Sequence, residues 1–161
     1  MPSKAAKKHV DSEMAQALEL GLALRDCQGA FSSIALRAMT TAYAVHFRAL
    51  MEFFHDMRPG HSTPDARDWI LSDFLPRGST NPFRGHWTLR ERRRFEAADK
   101  LVGHLSKGRR LRHRATKDWG HSQDCDMLLR KVRYLFAAQS RAARWFPDTA
   151  RQLARYSGAA A

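Results

Sequence analysis

Hydrophobic residues recur along this chain at intervals of three and four over long stretches and almost nowhere at intervals of two, which predicts helices rather than strands. The clearest stripe is Ala35, Met39, Ala42, His46, Leu50, Phe53 and Met57. It predicts a helix over 33–56 with His46 on its core face and Arg48, Glu52 and His55 on the opposite one. Upstream, Met14, Leu18, Leu22 and either Leu24 or Arg25 mark the turns of a helix over 10–27, stopped by Gln28 and Gly29. Residues 1–9 read as a disordered tail.

Thr63 before Pro64 has the pattern of an N-cap followed by proline at the first helical position, so a short helix is expected over 65–74. Pro76, Gly78, Ser79, Asn81, Pro82 and Gly85 predict an irregular connection. Thr88 and Glu91 then have the T-x-x-E spacing of a capping box, opening a helix over 89–107 that Gly108 ends. Its core face is Phe95, Ala98, Val102 and Leu105. Ser122 and Asp124 start the last long helix, with the stripe Leu128, Val132, Leu135, Phe136, Ala143 and Phe146. Pro147 is expected to interrupt it before a short amphipathic segment to Tyr156, leaving 157–161 as a second tail. The expected fold is all-α: an irregular bundle of four long amphipathic helices and two short ones, in one domain spanning 1–161.

With 43% hydrophobic and 27% charged residues in a chain of 161, the composition is that of a globular protein. The two cysteines, Cys27 and Cys125, form no CxxC, which predicts reduced, buried thiols rather than a disulfide framework or structural zinc. No cofactor and no metal site are expected. Lys4, Lys7 and Lys8 lie within 1–10 with no apolar run after them, and no stretch approaches the roughly 20 apolar residues of a membrane span. A cytoplasmic location, away from the membrane, is the expectation.

Charge changes this picture because it is unevenly placed. The net charge is +12, yet residues 1–83 hold nine bases and nine acids. Residues 84–117 hold twelve bases against Glu91, Glu96 and Asp99, a net charge of +9. Arg90, Arg93, Ala97, Lys100, His104 and Lys107 follow helical spacing and form a basic ridge. Arg109, Arg110, Arg112 and Arg114 extend it, with His113 among them and Trp87 and Trp119 flanking as stacking candidates. Such a density of arginine and lysine attracts phosphate backbones through counterion release. A solvated helix face in a chain with 21 arginines and 7 lysines gives the same counts.

Candidate chemistry is sparse. His46, on a core stripe, needs a hydrogen-bond partner. His121, Asp124 and Cys125 carry ligand chemistry at helical spacing. No phosphate-cradling glycine loop, G-x-S-x-G elbow, H-E-x-x-H or dinucleotide fingerprint occurs. The elements His46-x-Arg48-x-Leu50, Asp73-Phe74 and His104-Leu105 followed by Arg109 resemble a group of uncharacterised small helical bacterial proteins. That resemblance spans residues 44–109 and implies a helical fold, with His46, Arg48, Asp73 and His104 meeting as a buried polar network. The layout is also similar to HEPN domains, many of them ribonucleases with an Arg-x(4–6)-His motif in a dimer cleft. Arg48 to His55 and Arg114 to His121 have that spacing.

Three readings stay open. The first is a non-enzymatic domain that binds RNA or unspecific duplex through Arg90, Arg93, Lys100, Lys107, Arg109, Arg110, Arg112 and Arg114. The second is a HEPN-like, metal-independent ribonuclease or toxin using His104 or His121 with Arg114, in which His works near neutral pH. The third is an interaction module of a larger complex. A homodimer is compatible with each.

Overall fold

The computed structural model describes residues 2–26, 31–63, 69–103 and 121–158. Among these residues six α-helices carry the fold: α1 (Lys4–Asp26), α2 (Ser33–His55), α3 (Leu89–Gly103), α4 (His121–Ala138), α5 (Ala142–Trp145) and α6 (Pro147–Gly158). A 3₁₀ turn, Leu71–Asp73, lies in the connection between α2 and α3. No strand occurs among the described residues, and no helix there is long and apolar enough to cross a membrane. The expected all-α bundle is the observed architecture.

Helix α1 is the central element, packing against α2, α4 and α6, while α2 lies between α1 and α3. It begins six residues earlier than its apolar periodicity indicates. Ser3 supplies the reason: its Oγ accepts from the amide of Ala6 at 3.1 Å and its carbonyl from that of Lys7 at 3.1 Å. Residues 4–9, read from the sequence as part of a tail, therefore belong to α1. Gly21 sits where α1 meets α4, and a Cβ there would stand 2.5 Å from Cys125 Sγ. Close approach of the two helices requires that glycine.

The core face of α2 differs from the expected stripe. Its buried residues are Thr40, Tyr43, Ala44, Phe47, Leu50, Met51, Phe53, Phe54 and His55, whereas Met39, Ala42 and His46 are only half-buried at its edge. A helix flanked on both sides buries more than half its circumference, so one stripe understates its core. Ser32 caps the start, its Oγ accepting from Ala35 N at 3.2 Å. Asp56 ends the helix in the left-handed region (φ 59°), a conformation Asp adopts more readily than most residues. Its buried carboxylate accepts from the Ser72 amide at 3.2 Å and from the Ser72 hydroxyl, joining the end of α2 to the 3₁₀ turn. Of the helix expected over 65–74, residues 65–68 lie outside the described residues and the remainder forms only that turn.

The last long segment is also divided differently. Helix α4 ends at Ala138, where the Gln139 side chain donates to the Phe74 carbonyl at 2.8 Å and accepts from the Arg141 amide at 3.2 Å. Pro147 does not break a helix; it opens α6, at the first position, where its missing N–H is no loss. Ala143, expected in the core, is exposed. Asp11 of α1 caps α6 across the bundle, accepting from Asp148 N at 3.2 Å, Thr149 N at 2.9 Å and Thr149 Oγ1 at 2.7 Å.

Candidate functional site

The T-x-x-E box forms as its spacing requires. Glu91 N donates to Thr88 Oγ1 at 3.2 Å and Thr88 N to Glu91 Oε2 at 2.8 Å, so α3 starts sharply at Leu89. From there Phe95, Ala98 and Leu101 turn into the core, and Arg90, Arg92, Arg93 and Lys100 stand exposed. Leu89, Arg90, Arg93 and Arg94 line a shallow depression on this face, with Leu89 64% exposed among the guanidinium groups. Two of the arginines are braced from α4: Arg90 donates to Gln123 Oε1, and Arg94 Nε lies 3.1 Å from Asp124 Oδ1. Asp124 is fully buried, and burial pushes its carboxyl up to about 6 against the opposing pull of Arg94 and Arg90.

Behind this face lies a buried polar centre linking α2, α3 and α4. His55 is fully buried, stacked on Trp87 at 3.9 Å between centroids, with Nε2 3.5 Å from Glu91 Oε1. Lys131 Nζ reaches the same Glu91 oxygen at 2.8 Å and lies 4.0 Å above the Phe83 ring. Burial would raise the Glu91 carboxyl, but the approach of His55 and the bonds from Lys131 and Thr88 outweigh it and hold the group far below the usual carboxylate range. Burial pushes the His55 imidazole and the Lys131 amine down, with Glu91 opposing both shifts. Glu91 is thus at once helix cap and buried counter-ion.

The expected network of His46, Arg48, Asp73 and His104 does not assemble among the described residues. His46 Nδ1 pairs with Glu13 Oε2 at 2.7 Å, Arg48 Nε with Asp99 at 2.9 Å and Glu52 at 3.3 Å, and Asp73 is exposed, accepting from the Ile70 amide at 3.3 Å. His55, placed by its spacing from Arg48 on the solvent face, is in the core instead. The Arg48 and His55 pair therefore presents no exposed Arg–His motif. Asp124 and Cys125 diverge: Asp124 faces Arg94, while Cys125 Sγ contacts the Tyr156 hydroxyl, which itself donates to the Leu18 carbonyl at 3.1 Å. Burial pushes the Cys125 thiol up to about 11, the behaviour of an inert core residue. His104, Lys107, Arg109, Arg110, Arg112, Arg114 and Cys27 lie outside the described residues, as does the side chain of His121.

The sequence carried a signal for the residues it did not single out. Asp124, Leu128, Lys131 and Leu135 are spaced four, three and four, and Phe47, Met51 and His55 four and four, so each charged or titratable member sits on an apolar row.

Fold and site together define an all-helical bundle with an arginine-lined face backed by a buried acid–base centre. No protein family, curated protein or solved structure matches the chain.

Proposed function

We propose that this protein is a non-enzymatic nucleic-acid-binding domain that holds RNA or unspecific duplex by its phosphates along α3 and the basic residues that follow it. The observation that carries the reading is the depression lined by Leu89, Arg90, Arg93 and Arg94, in which Gln123 and Asp124 brace two guanidinium groups before a ligand arrives. Preorganised arginines lose less side-chain entropy on binding a phosphate than free ones do. The start of α3 offers no competing anion site, since Thr88 and Glu91 close it internally.

Binding should weaken steeply with salt: neutralising six phosphates on duplex DNA corresponds to a log–log slope of about −5. Replacing Arg90 and Arg93 with Ala should weaken binding uniformly across sequences and flatten the slope by about 1 for each phosphate that is no longer neutralised. The same measurement on a variant with Arg109, Arg110, Arg112 and Arg114 changed to Ala tests the second half of the surface. Affinity that is indifferent to salt and to both sets of substitutions overturns the reading. Metal-independent RNA cleavage abolished by His104→Ala or His121→Ala would replace it with the ribonuclease reading.

A further inference from the structure

A second concavity, sharing no residue with the arginine-lined depression, lies between the first turns of α1 and the end of α2. Its volume is about 670 Å³, inside the range of small-molecule sites. Val10, Leu50, Phe53 and Ile70 are among its apolar residues, the first three of them buried, charged side chains line it as well, and Trp69, 43% exposed, also contributes to the lining. A tryptophan left this open in the lining of a cleft offers part of its ring to a ligand.

The charged groups in the cleft are not equivalent. Arg58 Nε lies 3.1 Å from Glu52 Oε1, which Arg48 also approaches at 3.3 Å, so these side chains neutralise one another. The Asp56 carboxylate is occupied by the amide and hydroxyl of Ser72. Glu13 differs: its ion-pair partner among the described residues is an imidazole, that of His46, and no lysine or arginine there reaches it. The His46 hydrogen bond, aided by the charges of His46 and His9 and opposed by burial, holds the Glu13 carboxyl below its ordinary range. An ionised carboxylate and a partly open indole lining the same cleft are the combination that retains an ammonium group.

We propose that this cleft binds a small organic cation with an apolar body, an aryl- or alkylamine. The amine pairs with Glu13, and its apolar body rests against Ile70 and the ring of Trp69. The inference does not depend on the proposed nucleic-acid binding, which draws on different residues.

The test is a ligand-observed NMR screen of the full chain with aryl- and alkylamines matched to their isosteric carboxylates and alcohols. Amines should dominate the hits. Glu13→Gln, which retains an acceptor for His46, and Trp69→Ala, at an exposed position, should each weaken the best amine by about tenfold or more, as removal of a charge-assisted hydrogen bond or a cation–π interaction implies. Arg90→Ala with Arg93→Ala should leave amine binding unchanged. The proposal is overturned if no amine binds, if carboxylates or alcohols bind as well as amines, or if amine binding survives Trp69→Ala in a variant whose thermal unfolding matches the parent.

Discussion

At Gly21 a single missing methyl group sets the distance between two helices. The added Cβ of an alanine would meet Cys125 Sγ at 2.5 Å and the Tyr43 ring at 3.3 Å, in a region where Tyr43, Cys125 and Tyr156 are all buried. Overpacking of a filled core costs about 1–3 kcal/mol, and better helix propensity returns less than about 1 kcal/mol. Gly21→Ala should therefore lower stability by about 2 kcal/mol in urea unfolding, and adding Cys125→Ala should recover part of the loss because it removes the clashing sulfur. Asp124 is the other residue whose effect is decided by its surroundings. Its carboxyl, raised from about 3.8 to about 6, takes up a proton in the fold before it does in the unfolded chain. Its ionised form thus weighs against the fold at neutral pH, and the wild type should gain relative to Asp124→Asn as pH falls from about 7 to about 4. The gain has a ceiling of about 3 kcal/mol, measured as the difference between two denaturant titrations.

At the scale of elements, helix ends hold this bundle together. Thr88 and Glu91 share one capping box but have unequal consequences. Thr88→Ala removes an exposed cap and should cost about 1 kcal/mol. Glu91→Gln removes the same cap's charge and leaves Lys131 buried without its counter-ion, so about 3 kcal/mol or more should be lost. Equal losses in the two variants would show that the buried pair adds nothing to the cap. Helix α6 depends on a cap from another helix: Asp11→Ala strands the amides of Asp148 and Thr149. Hydrogen exchange should then rise first in α6, ahead of the global unfolding rate, because local opening precedes the loss of the core.

For the whole molecule, charge sets the response to pH. The His55 imidazole titrates lower in the fold than in the unfolded chain, so its contribution is complete above about pH 6.5 and is lost as pH falls below that. Glu91 titrates lower than in the unfolded chain as well; its contribution is complete above about pH 4.3 and disappears with further acidification. Asp124 works in the opposite direction between these limits. Because the gain at Asp124 opposes the loss at His55, stability should fall in two stages on acidification in Asp124→Asn, the first of them absent when His55→Gln is added, and the wild type should lose less above about pH 4 than Asp124→Asn does. A single steep transition below about pH 4 in all three proteins would remove His55 and Asp124 from the account.

Much of this was legible in the chain. The all-α class, the capping box at Thr88 and Glu91, the irregular connection over 76–85 and the core row Leu128, Val132 and Leu135 all follow from interactions within a few residues. Local stereochemistry and helical periodicity are sufficient for such features. The start of α1 at Ser3, the cap of α6 by Asp11 and the burial of His55 were not read from periodicity, and the last two were decided by residues distant in sequence. Periodicity says that a helix has a buried side, but not how wide that side is or which neighbour covers it. Helix α2, covered by α1 on one side and α3 on the other, buries His55 and leaves His46 at the edge, the reverse of what a single stripe implies. The arginine-rich segment was likewise visible as charge in the sequence, whereas the braces Gln123 and Asp124 were not. Which side chains meet across the bundle is set by the packing of whole helices, and that packing exists only in the folded chain.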